Sequence, residues 1–466
     1  MKNCAAIIIA AVLFNAITLK AGDTPDANTI YDSDMNHLWN RVNETLFERT
    51  AQDGKKYGLD ELDILYWNRT TNLLAEVSHQ RAISVLDEFI NKHGEKLIRD
   101  PLKRALLQRD LWELFDWTAL PWPNAPYAPE RKELQKRLVA VIRRLALTTN
   151  EIAKLPDNYS MQAETEKLPD LPQGLFETNG NWVNLAPDPN GNEEIAPMHD
   201  HSSHGHSAFL VMLRLPGGRQ AAISYLDQLH SFEHFWVYQT NADSFAATNS
   251  PREFLTVNTN LPEFPTNTEW AIVRRMFVID TDGNIQPTRI IESIQLRRYL
   301  AIMPSTFMMV TNSSGGISSE FIPPQKFYEF QMDRSRNSGL REIAKDEKDF
   351  LFVHFMGMGI DPFEWKSNEP QVPDSSTFKG TVLESCRTCH SAPGIYSINV
   401  YAGLFAGLFH HSIDPHQLFN LDTKRETDAA IYWKREQYSW GLLQGLWHQE
   451  TKMKPAAKFA VALAGC

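Results

Sequence analysis

The sequence predicts an α+β chain of several domains: a helical N-terminal region, a β-rich middle and a helical C-terminal region. Three observations carry that prediction. Apolar residues recur at helical spacing from Met35 to about Asn158. Short apolar runs bounded by turn residues take over after residue 206. Between them, residues 156–206 form a break rich in Pro, Asn, Gly and His. A chain of 466 residues is long enough for two or three domains, and 42 % hydrophobic with 22 % charged residues is the balance of a globular protein.

The chain opens with Lys2 and an almost unbroken apolar run from Cys4 to Leu19, followed by Lys20, Ala21 and Gly22. A positive start, a short apolar stretch and small residues behind it make a cleavable secretory signal over residues 1–21. The run is shorter than the roughly 20 residues of a membrane span, and no other segment approaches that length, so no transmembrane segment is expected once the signal is removed. The formal charge is −11, and loss of Lys2 and Lys20 takes it to −13 (44 basic against 57 acidic residues). No basic patch marks a nucleic-acid footprint. An acidic surface instead suits solubility or the steering of a basic partner.

Residues 22–175 form the helical region with its linker. Leu134, Leu138, Val141, Ile142 and Leu145 fall on one helical face; Ala82, Leu86, Phe89 and Ile90 make a second, and Leu107, Leu111 and Phe115 a third. Pro101 suits the first turn of the helix that carries this third set. A Pro-rich stretch, 121–126, separates it from the next helix. Nothing catalytic stands out here, and the Trp and Leu residues are core candidates.

The break contains His199, Asp200, His201, His204 and His206 within eight residues. Neutral imidazoles at alternate positions of an extended segment suit copper, zinc or iron, so an additional metal at the His199–His206 loop is one reading. A solvated loop entering a strand is the other.

Residues 176–345 form the β-rich domain. Phe209–Leu213 and Phe235–Tyr238 are short apolar runs. Ile272–Ile279 and the β-branched stretch through Ile285, Ile290 and Ile291 flank a hairpin turn at Asp282-Gly283, and Phe327–Met332 alternates like a half-buried strand. No glycine-rich phosphate loop, nucleophile elbow or H-E-x-x-H occurs here.

The last region, 346–466, holds Cys386-Arg387-Thr388-Cys389-His390. Two thiols three positions apart can add across the two vinyl groups of a porphyrin, and the adjoining imidazole of His390 then meets the iron from one face. A zinc site would need a second Cys/His pair at matching spacing, and no other CxxC exists. A redox CxxC would follow a strand in a βαβ unit. With Cys4 in the signal and Cys386 and Cys389 on haem, only Cys466 remains, and no structural disulfide is expected. Gly441–Leu446 suggests a close-packed helix in which the glycines allow near approach. Tyr432, Trp433, Trp440 and Trp447 are expected to wall the haem or the helix packing.

On Cys386, Cys389, His390, an expected helix from Phe378 through Leu383 and a later Met, the C-terminal quarter resembles a mono-haem c-type cytochrome domain. The resemblance implies one covalent haem c, His390 as proximal ligand, and a Met about 60 residues further on as second axial ligand. Met453, 63 residues after His390 and the only Met downstream, fits that place. His410, His411, His416 and His448, and upstream Met356 and Met358, are competing ligands. The function implied is single-electron transfer by a periplasmic or otherwise exported protein, with a redox partner protein and a large accessory region for docking or substrate binding. Two alternatives stay open: a haem-dependent oxidoreductase, peroxidase- or oxidase-like, whose iron keeps an open position; and a binding or sensory protein that haem stabilises.

Overall fold

The computed structural model describes residues 30–50, 54, 56–60, 70–122, 124–163, 168–185, 205–232, 236–241, 252–302, 306–311, 317–322, 325–334, 338–343, 363, 394–397 and 424–452. Within them the chain is α+β, as the sequence predicts: helices packed on a six-stranded antiparallel sheet. None of the described helices is long and apolar enough to cross a membrane.

Helix α1 (Leu38–Phe47) leads into a short pair, β1 (Arg49–Thr50) and β2 (Lys56–Tyr57). Helices α2 (Glu76–Asn91), α3 (Pro101–Thr118) and α4 (Ala128–Leu145) follow. Asp100 caps α3 by accepting the Leu102 N–H, and Pro101 occupies the first turn, where its missing N–H costs nothing. The apolar face expected on α4 is buried at Leu134, Leu138, Val141, Ile142 and Leu145. The Pro-rich stretch is a surface connection that leaves Trp122 64 % exposed, so this Trp is not a core residue.

Two short helices, α5 (Thr149–Ile152) and α6 (Asn158–Ala163), join the helices to the sheet. Buried Asn158 donates to the carbonyls of Ile291 (2.9 Å) and Ser338 (2.8 Å) and accepts the Ile291 N–H (2.8 Å), which ties α6 to the long strand that carries Ile291 and to the turn before Gly339.

The main sheet contains β3 (Val183–Leu185), β4 (Ser207–Arg214), β7 (Glu269–Ile279), β8 (Ile285–Tyr299), β11 (Gln325–Asp333) and β12 (Gly339–Glu342), in the order β12-β11-β8-β7-β4-β3. Helix α7 (Arg219–His230) follows β4. The strands β5 (Trp236–Asn241) and β6 (Arg252–Val257) pair apart from this sheet, as do β9 (Thr306–Thr311) and β10 (Ile317–Ile322). The β7–β8 hairpin turns at Asp282-Gly283 as expected. The Asp280 carboxylate fastens that turn by accepting the N–H groups of Asp282 (2.9 Å) and Asn284 (2.8 Å).

Strand β11 differs from the half-buried expectation: it is buried at all its residues but Lys326 and Gln331. The reason is cover on both sides. Tyr328, Phe330 and Met332 share one face and pack into the cores, and on the opposite face Phe327, Glu329 and Asp333 are buried as well.

Two C-terminal helices, α8 (Lys424–Glu436) and α9 (Tyr438–Lys452), complete the described structure. Trp440, Leu443 and Trp447 of α9 enter the large core together with Leu111, Phe115, Leu138 and Phe277. The close approach expected at Gly441 and Gly445 does not occur among the described residues, where a Cβ at either would meet nothing within 4 Å. Spacing explains the correction. Positions 440, 443 and 447 share one helical face, and the glycines at 441 and 445 turn away from it. One continuous core therefore runs from Tyr31 to Trp447 and draws on the helical, β-rich and C-terminal stretches alike.

Candidate functional site

Helix α3 places Arg109, Glu113 and Asp116 at i, i+4 and i+7, a spacing that puts them along one side. On a surface helix that stripe would face water. Here all three are 1–5 % exposed. Burying a charge is costly unless it is paired and hydrogen-bonded, so each has a named partner. Arg109 pairs with Glu113 and reaches Glu292 of β8 at 2.6 Å. Arg274 of β7 meets the same Glu292 at 3.1 Å, and the Ser207 hydroxyl donates to it. Neighbouring Asp110 pairs with Arg334 at 2.9 Å, and Arg334 also reaches Asp60 at 3.0 Å.

Asp116 ends the stripe and holds two groups from distant parts of the chain. Its Oδ2 accepts from the fully buried Lys434 Nζ of α8 and lies 2.8 Å from His206 Nε2. Lys434 also donates to Gln437 (2.9 Å) and Ser439 (3.3 Å), the residues that begin α9. The indole of Trp112 walls the pocket: the His206 ring meets it edge-on at 4.8 Å, and the Lys434 ammonium stands 5.4 Å from its centroid. Gly205 makes room for this entry. Its φ of +72° suits glycine, and a Cβ there would meet the Lys434 side chain at 2.9 Å.

Burial governs the protonation of this centre. It pushes the His206 imidazole down to about 3, more than Asp116 can offset, while Lys434 and Arg109 push the same way. His206 is therefore neutral, and a carboxylate facing Nε2 requires the proton on that nitrogen. Burial alone would raise Asp116, but Lys434 and His206 outweigh it and hold the carboxyl well below its usual range. Lys434 itself is lowered by burial, against the pull of Asp116. Glu113, Asp116 and Glu292 thus stand against Arg109, Arg274 and Lys434, a balanced set that fixes α3, β7, β8 and α8 to one another.

Of the sequence-expected ligands, Cys386, Cys389, His390 and Met453 lie outside the described residues. So do His199, His201, His204, His410, His411, His416, Met356 and Met358, and the helix expected over Phe378–Leu383. His206 is buried rather than solvated, with its Nε2 2.8 Å from the Asp116 carboxylate. His448 is exposed on α9. Trp440 and Trp447 are core residues, and Tyr432 points to solvent.

One described piece lies close to the C-x-x-C-H motif in sequence: the 3₁₀ turn Gly394–Ser397, which begins four residues after His390. It is fastened at three points. The Glu263 carboxylate accepts the Ile395 N–H (2.9 Å) and, from its own side, the Phe264 N–H (3.1 Å). The Ile395 side chain is buried among Leu226, Phe264, Trp270 and Tyr299. The buried Ser397 hydroxyl donates to the Gly394 carbonyl (2.8 Å), so the Tyr299 hydroxyl, 2.5 Å away, is the donor to Ser397. Gly394 has a φ of +53°, and the Glu263 carboxylate occupies the place a Cβ would take.

Sequence reasoning missed Asp116, Lys434, Glu263 and Tyr299. The one signal that could have found any of them was the charged stripe on α3, which looks the same whether it faces water or buried partners. Compared with protein-family models, curated proteins and solved structures, the chain matches none.

Proposed function

We propose that this chain is an exported mono-haem c-type cytochrome that transfers single electrons. Cys386 and Cys389 form thioethers to the porphyrin, His390 is the proximal ligand and Met453 the second axial ligand, within a haem region spanning 346–466. The observation that carries the reading is Cys386-x-x-Cys389-His390, whose two thiols and adjoining imidazole are the donor set that covalent haem takes up. The secretory signal over residues 1–21 supports it independently, because such haem is joined to exported chains. The net acidic charge suits a basic redox partner.

The test is retention of pigment. The chain is produced with a haem-maturation system and extracted with acid–acetone. Haem that stays with the polypeptide, and is lost when both cysteines become Ala, is the expected result. Complete extraction, or no Soret band, refutes the reading. Optical spectra of the same sample check its electron-transfer part: six-coordinate low-spin iron indifferent to CO is expected, and CO-binding high-spin iron would assign an open catalytic position instead.

A further inference from the structure

The buried centre on α3 brings together a lysine and a carboxyl that have a reaction open to them. We propose that the Lys434 amine and the Asp116 carboxyl condense to an amide, a covalent brace between α8 and α3. The bond forms whether or not haem is present.

Lysine sets this pair apart from the other buried charges. Arg109 and Arg274 share the same centre, but a guanidinium is delocalised and keeps its proton, so it does not attack a carboxyl. Lys434 is the one lysine buried among the described residues, and its Nζ contacts Asp116 Oδ2 directly. The carboxyl carbon is one bond beyond that oxygen. A standing contact replaces a chance encounter, which is where an intramolecular reaction gains much of its rate. The two side chains are 0 % and 1 % exposed, so the water that would reverse the bond is kept out. Gln437 and Ser439 also accept from Nζ, at 2.9 Å and 3.3 Å, and hold it in place. The Trp112 ring closes the site on the side of the ammonium.

Atoms and charges balance without a co-reactant. The ammonium first gives one proton to Oδ2 along their hydrogen bond, leaving a neutral amine beside a neutral acid. Burial favours that exchange at both ends. It lowers Lys434, and the Lys434 charge, the main influence holding Asp116 down, vanishes as the proton crosses. The amine then attacks Cγ, the C–N bond forms, and a second proton passes from Nζ to Oδ2. The Cγ–Oδ2 bond breaks and Oδ2 departs as water. Oδ1, which accepts no hydrogen bond among the described residues, remains as the amide oxygen. His206 Nε2, 2.8 Å from Oδ2, is placed to donate to that oxygen as it leaves. The product is neutral, so the cost of burying two ions disappears. It also closes a loop across 318 positions, which takes entropy from the unfolded chain.

The test uses the full-length protein, unfolded in urea, digested with trypsin and read by mass spectrometry. Wild type should yield one branched peptide joining the Asp116 and Lys434 segments, lighter than their sum by one water and uncleaved after Lys434. Lys434→Arg keeps the positive charge but cannot be acylated, and should yield two linear peptides. His206→Phe keeps a ring against Trp112 and has no N–H. Followed after synthesis, its bonded fraction should rise at least about tenfold more slowly than that of the wild type. Two separate peptides of full mass from folded wild type, even after prolonged storage, overturn the proposal and leave an ordinary ion pair. Bond formation in His206→Phe at the wild-type rate overturns the role given to His206. Should either variant fail to fold, the wild-type digest still decides.

Discussion

Helices α3 and α4 are each 18 residues long and lie against one another, yet their charges have opposite fates. On α4, Lys132, Glu133 and Lys136 face water while Leu134, Leu138, Val141 and Leu145 face the core. On α3 every residue from Ala105 to Asp116 is buried, including Arg109, Asp110, Glu113 and Asp116. The difference lies in what surrounds them. Helix α4 covers the body from outside, whereas α3 runs between the other helices, the end of β7 and the C-terminal pair, so its central stretch meets no solvent. A charged stripe on α3 persists because Arg274, Glu292, Arg334 and Lys434 arrive from elsewhere to match it.

That contrast is most exposed to failure at Asp116. Asp116→Ala strips the buried Lys434 ammonium of its carboxylate and His206 of its acceptor, and should cost on the order of 3–5 kcal/mol. Lys136→Ala, the same kind of truncation on the wet side of α4, should stay within about 0.5 kcal/mol. Urea denaturation of both variants measures the gap. Equal and small losses would mean that the α3 charges are solvated after all.

The sequence exposes α4 and conceals the α3 centre for a physical reason. Periodicity, a cap and a turn are local. The apolar face of α4, Asp100-Pro101 at the start of α3 and Asp282-Gly283 between β7 and β8 each state their structure within a few residues. The C-x-x-C-H motif is likewise a local pattern of five positions, and it lies outside the described residues. Asp116 and Lys434 are 318 positions apart, and Glu263 and Ile395 are 132 apart. Neither pair carries a local mark, so each becomes visible only once the chain is folded. The His-rich break shows both cases at once: its composition suggests a ligand set or a wet loop, while its last member, His206, is a core residue because of a partner on another element.

His206 gives a pH dependence that sharpens the comparison. Its folded value of about 3 lies below its ordinary value near 6.5. Between these limits the unfolded chain binds a proton that the folded chain does not, so stability falls as pH falls through this window. The slope approaches about 1.4 kcal/mol per pH unit for this one group. The change His206→Gln keeps a neutral donor for Asp116 and removes the titration. The difference in stability between wild type and His206→Gln should therefore move against the wild type as pH drops from about 6.5 toward 5. The difference isolates His206 from other titrating groups, among them Asp60, whose carboxyl burial raises. A difference that stays flat with pH would place His206 in contact with water and put the α3 centre on the same footing as the outer face of α4.

The smallest effect expected is a gain in stability, and it tests whether α9 sorts its faces as α4 does. Gly441 and Gly445 lie on its exposed side, with nothing among the described residues where a Cβ would stand. A helical glycine that serves no close approach carries only the entropy cost of ordering a flexible backbone. Gly445 sits well inside α9, between Leu443 and Trp447, which are both buried in the core. The helix is thus held from its other side, and an added methyl group disturbs no packing. Gly445→Ala should raise stability by about 0.5–1 kcal/mol, read as a higher urea midpoint at unchanged slope. The paired change Leu443→Ala, one helical face away, should lower it by about 2–5 kcal/mol through the cavity it leaves. If Gly445→Ala destabilises the protein, something packs against that face of α9, and the glycines serve the near approach that the sequence alone suggested.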